Sequence, residues 1–218
     1  MSELQSVGMT EEMNADEMAA FIKKFRGEEE TFMPRDEDWI VERFLHPSIT
    51  DGMKKRINKA IKDKDLKDIS KENTTCRGNF KQYILDGVIE EDDVDFIKAQ
   101  VRDIIEKNEI LDYKFDLEFS IAWTAIGKKG SYHIPHTHSR DVPVDVLSTT
   151  IYLSANEVDE CDDGYFYHVW RDECNGVEYT KPEPGMMLLF PNWLVHGTIP
   201  QGSGTRQTLN LSFKVVKR

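Results

Sequence analysis

Past Asp112 the spacing of apolar residues changes from about 3.6 to 2, so the two parts of the chain must fold by different rules. Before that point Ile49, Met53, Ile57 and Ile61 recur every four residues and predict one amphipathic helix. Val94, Ile97, Val101, Ile104 and Ile105 share the face of a second, behind the acidic run 90–93 that suits a helix N-terminus. After it, Phe115, Leu117, Phe119, Ile121 and Trp123 alternate with Asp116, Glu118, Ser120 and Ala122, the pattern of a half-buried strand. A turn is expected over 127–130. Further strands are expected over 147–153, 165–170, 177–180, 186–190 and 209–215, with Pro184-Gly185 as a turn signal before the fourth of these. Residues 65–88 show no clear period. Helices first and many short strands afterwards describe an α+β or barrel-like domain.

The organisation expected is an acidic tail over residues 1–35, compatible with a short helix near 16–25, and one domain over 36–218. Within that domain 36–110 is the helical part and 111–218 the β core. The tail is polar enough that the first 30 or so residues are expected to be dispensable. Forty acidic against twenty-eight basic residues give a net charge of −12, which speaks against general nucleic-acid binding. No apolar run approaches the ~18 residues of a membrane helix, and the first residues do not read as a leader. Three cysteines (Cys76, Cys161 and Cys174) without CxxC spacing fit a reducing cytoplasm better than a disulfide framework.

Chemistry is concentrated in the histidines. Three of the six lie in Ser131-Tyr132-His133-Ile134-Pro135-His136-Thr137-His138. In an extended segment residues two apart point the same way, so His136 and His138 would present two imidazoles to one metal, and His133 would face away. A third ligand is expected at His196, just after the apolar strand in PEPGMMLLFPNWLVHGTIP. A surface histidine after a core strand would have the same letters. Ten residues on, Arg206 opens the last alternating strand, and at the mouth of a metal site its fork would suit a carboxylate.

An HxH pair, a gap of about sixty residues, the PxPGxxLLFPxxLxHGxxP stretch and then an arginine resemble the Fe(II)/2-oxoglutarate-dependent oxygenases. The likeness is to an uncharacterised prolyl-hydroxylase-like branch frequent in marine bacteria and phages. It covers roughly residues 115–216, with a weaker echo at Phe44-Leu45-His46-Pro47. The resemblance implies a double-stranded β-helix, or jelly roll, with the N-terminal helices packed on it. It implies Fe(II), 2-oxoglutarate and O2 as cofactors, and hydroxylation of a C–H in a protein or small molecule with release of succinate and CO2. By the same resemblance His136 and His196 are iron ligands, Arg206 binds the far carboxylate of 2-oxoglutarate, and Thr208 and Tyr152 assist it. Tyr152 would equally serve as a core aromatic.

The departure is at His138, where the family carries a carboxylate. Spacing favours His138 as the third ligand, with Asp141 as the alternative if the loop curls back. Two other classes stay open: a cupin-type zinc hydrolase or isomerase on the same histidines, in which Arg206 has no role, and a non-enzymatic β-sandwich binding or virion-associated protein. Residues 65–88 and 155–180 are expected to choose the substrate.

Overall fold

A proline in its first turn and a histidine just ahead of it start the first helix, α1 (Pro47–Asp63). The Nδ1 of His46 accepts from the Ser48 backbone N–H, which takes one of the unpaired N-terminal donors. The second helix, α2 (Glu91–Lys107), has Glu91, Asp92 and Asp93 in its first turn and Lys107 in its last, both signs matching the helix dipole. The computed structural model describes residues 38–138, 145–155, 164–170 and 176–218. Among these no helix is long and apolar enough to cross a membrane.

Six antiparallel strands make the main sheet: β1 (Val41–Phe44), β3 (Phe80–Ile84), β4 (Phe115–Lys128), β6 (Val146–Ser154), β9 (Met186–Pro191) and β11 (Thr205–Lys217). Their order is β1-β9-β6-β11-β4-β3. A smaller sheet has the order β10-β7-β8, from β7 (Phe166–Val169), β8 (Val177–Thr180) and β10 (Val195–Thr198). Two short strands, β2 (Cys76–Arg77) and β5 (Tyr132–His133), pair with each other.

The helices cover one face of the main sheet. Met53 and Ile57 of α1 and Ile97, Val101, Ile104 and Ile105 of α2 share a core with Leu147, Ile151, Leu189, Leu209, Leu211 and Phe213. Fully burying each such side chain contributes about 1.5–3 kcal/mol, and this holds the helices in place. The opposite face of the same strands carries Ser148, Thr150 and Tyr152 of β6 and Arg206, Thr208 and Asn210 of β11. In the alternating pattern these read as the solvent side. In the structure Thr150, Tyr152, Arg206, Thr208 and Asn210 line a cavity between the main and smaller sheets, and Ser148, Arg206, Thr208 and Asn210 are all buried.

Several local expectations need correction. Phe115 to Trp123 do not share one face. Ser212 pairs with Ile121 and Phe213 with Phe119, so Ser120 is an extra residue in a β-bulge. Beyond it the parity flips, and Ile121 and Trp123 face the cavity. Strand β4 also runs on to Lys128, through the start of the expected turn. Residues 65–88 hold β2 and β3, whose alternation is hidden because β3 is largely buried on both faces. The N-terminal tail, its suggested helix, Asp141, Cys161 and Cys174 lie outside the described residues.

Candidate metal centre

His196 comes after the apolar strand β9, as expected, and itself sits within the short strand β10, which is tied to the HxH segment. The His136 N–H donates to the His196 carbonyl at 2.9 Å and the His196 N–H donates back at 3.0 Å. The His138 N–H reaches the Asn192 carbonyl at 2.8 Å. Two ligand candidates sixty residues apart are thereby clamped by backbone before any side chain is considered. Gly197 makes the close approach feasible: a Cβ there would lie 2.5 Å from the Tyr167 hydroxyl and 2.8 Å from the His133 carbonyl.

The three side chains converge. One ring nitrogen each from His136, His138 and His196 lie within 4.8 Å of one another. The other nitrogens explain why. His136 Nδ1 is 2.8 Å from the Ile134 carbonyl and His196 Nδ1 is 2.9 Å from the Leu194 carbonyl. A carbonyl can only accept, so each Nδ1 carries the proton and each Nε2 is left with a free lone pair. His138 Nδ1 makes the corresponding contact to Ser148 Oγ at 2.9 Å. Phe166 stacks on His196 at 5.4 Å between ring centroids, and Trp123 meets His138 edge-on at 5.8 Å.

Burial holds all three imidazoles below the ordinary histidine range, with mutual repulsion adding to the effect at His138 and His196. His138 is pushed down to about 3. They are neutral near pH 7, the form a metal requires. Three neutral imidazoles, each with its Nδ1 already hydrogen-bonded, fit a dication such as Fe(II) or Zn(II).

Arg206 lies 5 % exposed on β11. Its guanidinium donates to the Gly164 carbonyl and, at 3.2 Å, to Thr198 Oγ1, and it has no carboxylate partner among the described residues. Burial pulls its pKa down, opposed by the nearby Tyr152. The Tyr152 phenol is itself 1 % exposed and pushed up to about 12 by burial, so it is present as a neutral donor. Tyr152, Thr208, Arg206 and the three histidines line one cavity of about 490 Å3.

Asn73, Thr75, Phe80, Gln82 and Ile84 add a wall from the stretch without a clear period, and Phe166 adds another from the stretch 155–180. His133, set aside on parity, lines this cavity as well, with its ring 5.6 Å from His136 and 4.5 Å from Phe80. The parity rule failed because the extended segment breaks after β5 at Ile134-Pro135. His168 is the register partner of His196 on β7, buried beside Glu178 at 3.2 Å.

Ser148 is a site residue that motif reading missed. Its position two and four residues before Thr150 and Tyr152 on one strand was the available signal. Ser148→Ala leaves the fold in place and removes the partner of His138 Nδ1. Metal affinity is expected to fall about ten- to a hundredfold, as outer partners of ligating histidines typically cost. Isothermal titration with Co(II) reads this directly, and an unchanged affinity would remove Ser148 from the site.

Residues 121–213 match a protein-family model described as "Putative 2OG-Fe(II) oxygenase". No curated protein matches the chain. Among solved structures, a Pseudomonas putida prolyl-4-hydroxylase is similar at 19 % identity, over 82 % of this chain and 92 % of its own, with a TM-score of 0.60. The viral collagen prolyl hydroxylase of Paramecium Bursaria Chlorella virus-1, in its 2OG complex, is similar at 22 % identity over 82 % and 96 %, TM-score 0.56. HygX from Streptomyces hygroscopicus, with nickel and 2-oxoglutarate bound, is similar at 11 % identity over 93 % and 87 %, TM-score 0.59. Identities this low speak to the fold, which is the expected jelly roll with helices on one side.

Proposed function

We propose that the chain is a 2OG-Fe(II) oxygenase of hydroxylase type acting on a C–H of its substrate, with Fe(II), 2-oxoglutarate and dioxygen as cofactors, a reading supported by the match of residues 121–213 to that family's model. The observation that carries this reading is the buried Arg206, without a carboxylate partner among the described residues, in the same cavity as three inward-facing imidazole nitrogens. A guanidinium withdrawn from water without an anion is costly, and a bound dicarboxylate relieves that cost. A zinc hydrolase would leave Arg206 with no task.

His136, His138 and His196 hold the metal in this reading. Arg206 receives the distal carboxylate of 2-oxoglutarate through its fork, and the Thr208 hydroxyl and the Tyr152 phenol stand ready to donate to the same group. Phe166, Trp123 and Ile121 present apolar surface to the cavity for the substrate's hydrocarbon part. Iron, when bound, supplies the redox chemistry. The balance is that 2-oxoglutarate, O2 and R–H become succinate, CO2 and R–OH.

Anaerobic Fe(II) with 2-oxoglutarate is expected to give the weak visible charge-transfer band of the keto-acid chelate. Tightly held zinc and no such band under saturation would overturn the reading in favour of hydrolysis.

The third ligand is tested by comparing His138→Ala with Asp141→Ala for iron content and succinate formation. His138→Ala is expected to lose both and Asp141→Ala to keep both, since His138 Nδ1 already has its partner in Ser148. The reverse outcome would restore the two-histidine, one-carboxylate triad.

A further inference from the structure

We propose that the substrate of this cavity is a carboxylic acid, bound as a monoanion with its carboxylate received by Gln82. The inference rests on the oxygenase reading and extends it to substrate class.

Charge is the first ground. Among the described residues the cavity wall contains no aspartate or glutamate, although the chain as a whole carries a net −12. Arg206 is its one ionised side chain among them. A dication on three neutral imidazoles adds two positive charges to that of Arg206, and 2-oxoglutarate returns two negative ones. Counted over the described residues, one positive charge is left in a largely buried space. A centre with two histidines and one carboxylate would finish at zero. An unbalanced charge withdrawn from water is strongly unfavourable, and a monoanionic substrate removes it.

Gln82 supplies the second, independent ground. It is 7 % exposed on β3 and lines the cavity. Its Oε1 accepts from Asn73 Nδ2 at 2.8 Å and from Cys76 Sγ at 3.3 Å. The backbone around it is anchored too, since the Gln82 N–H donates to Asp68 Oδ1 and its carbonyl accepts from the Ile69 N–H. With the amide oxygen fixed in this way, the orientation of the NH2 is set. That NH2 has no acceptor among the described residues. A donor pair on a largely buried residue, open to the cavity and with its amide orientation fixed, offers its hydrogens to an oxygen acceptor of the ligand. Trp123, Ile84 and Phe80 offer apolar surface for the rest of the molecule.

The test uses the full chain loaded with Co(II) and 2-oxoglutarate without oxygen, titrated with acetate and with the neutral isostere acetamide. Visible Co(II) absorption and calorimetry are the readouts. Acetate is expected to bind one to one and acetamide at least about tenfold more weakly, a difference of ~1.4 kcal/mol. Gln82→Leu should weaken acetate by about the same factor, with thermal melting confirming the fold. His138→Asp should erase the preference of acetate over acetamide, because it restores neutrality. Equal binding of acetate and acetamide, or binding of neither, overturns the proposal while 2-oxoglutarate still binds. Acetate binding that appears only in Asp141→Asn also overturns it, since Asp141 would then be the balancing carboxylate. Failure of 2-oxoglutarate itself to bind instead defeats the oxygenase reading.

Discussion

His196→Ala is expected to bring metal binding below detection at ligand concentrations that saturate the parent protein. Outer partners of ligating histidines are worth ten- to a hundredfold, so loss of a ligand itself should exceed about a hundredfold. His196 is fixed on three sides: its backbone is bridged to His136, its Nδ1 is held by the Leu194 carbonyl, and its ring lies against Phe166 and Phe190. No neighbouring histidine can take its place without breaking that clamp. The substitution also empties a buried space, so His196→Gln serves as the companion variant with less lost volume. Metal content after Co(II) or Fe(II) loading and dialysis is the measurement, alongside thermal melting. Retained stoichiometric metal in both variants would show that His196 is a packed core residue.

Arg206→Met should act in two opposite directions. The apolar stem is preserved and a buried cation with no carboxylate partner among the described residues is removed, so the protein without cosubstrate should be as stable as the parent or more so. The affinity for 2-oxoglutarate should fall by roughly ten- to a hundredfold, since a hydrogen bond to a charged group contributes ~1.5–3 kcal/mol and each 1.4 kcal/mol is tenfold. The thermal shift produced by 2-oxoglutarate in the parent should shrink accordingly. Melting curves with and without cosubstrate separate the two effects. An arginine that served only to pack the strand would lower stability in both conditions and leave the cosubstrate shift intact.

Sequence reading succeeded where one physical rule dominated. Both helices were legible because a single apolar stripe faces a single surface, and β11 because its apolar parity runs unbroken. His136, His138, His196 and Arg206 were legible as a spaced set, and the structure brings them to one cavity. Reading failed where two rules competed. The bulge at Ser120 reverses parity in the middle of an otherwise regular alternation, so Trp123 was assigned to the wrong face. Pro135 breaks the segment that placed His133 on the far side. The polar face of β6 and β11 resembled a solvated surface because alternation reports one apolar side and says nothing of what lies against the other. Ser148 was hidden for that reason, and Gln82 because β3 is largely buried on both faces and shows no clear alternation.

The clamp between His136 and His196 also bears on the order in which the molecule assembles. It joins residues far apart in the chain, and β11 likewise pairs with β4 and β6 from much earlier in the sequence. Long loops must close before any of these contacts returns free energy, which places such a topology among the slower folders. The inward-facing nitrogens therefore converge only after the antiparallel sheets have closed. Binding then draws on a finished pocket, and it rewards completion of folding where a zinc finger's metal would start it.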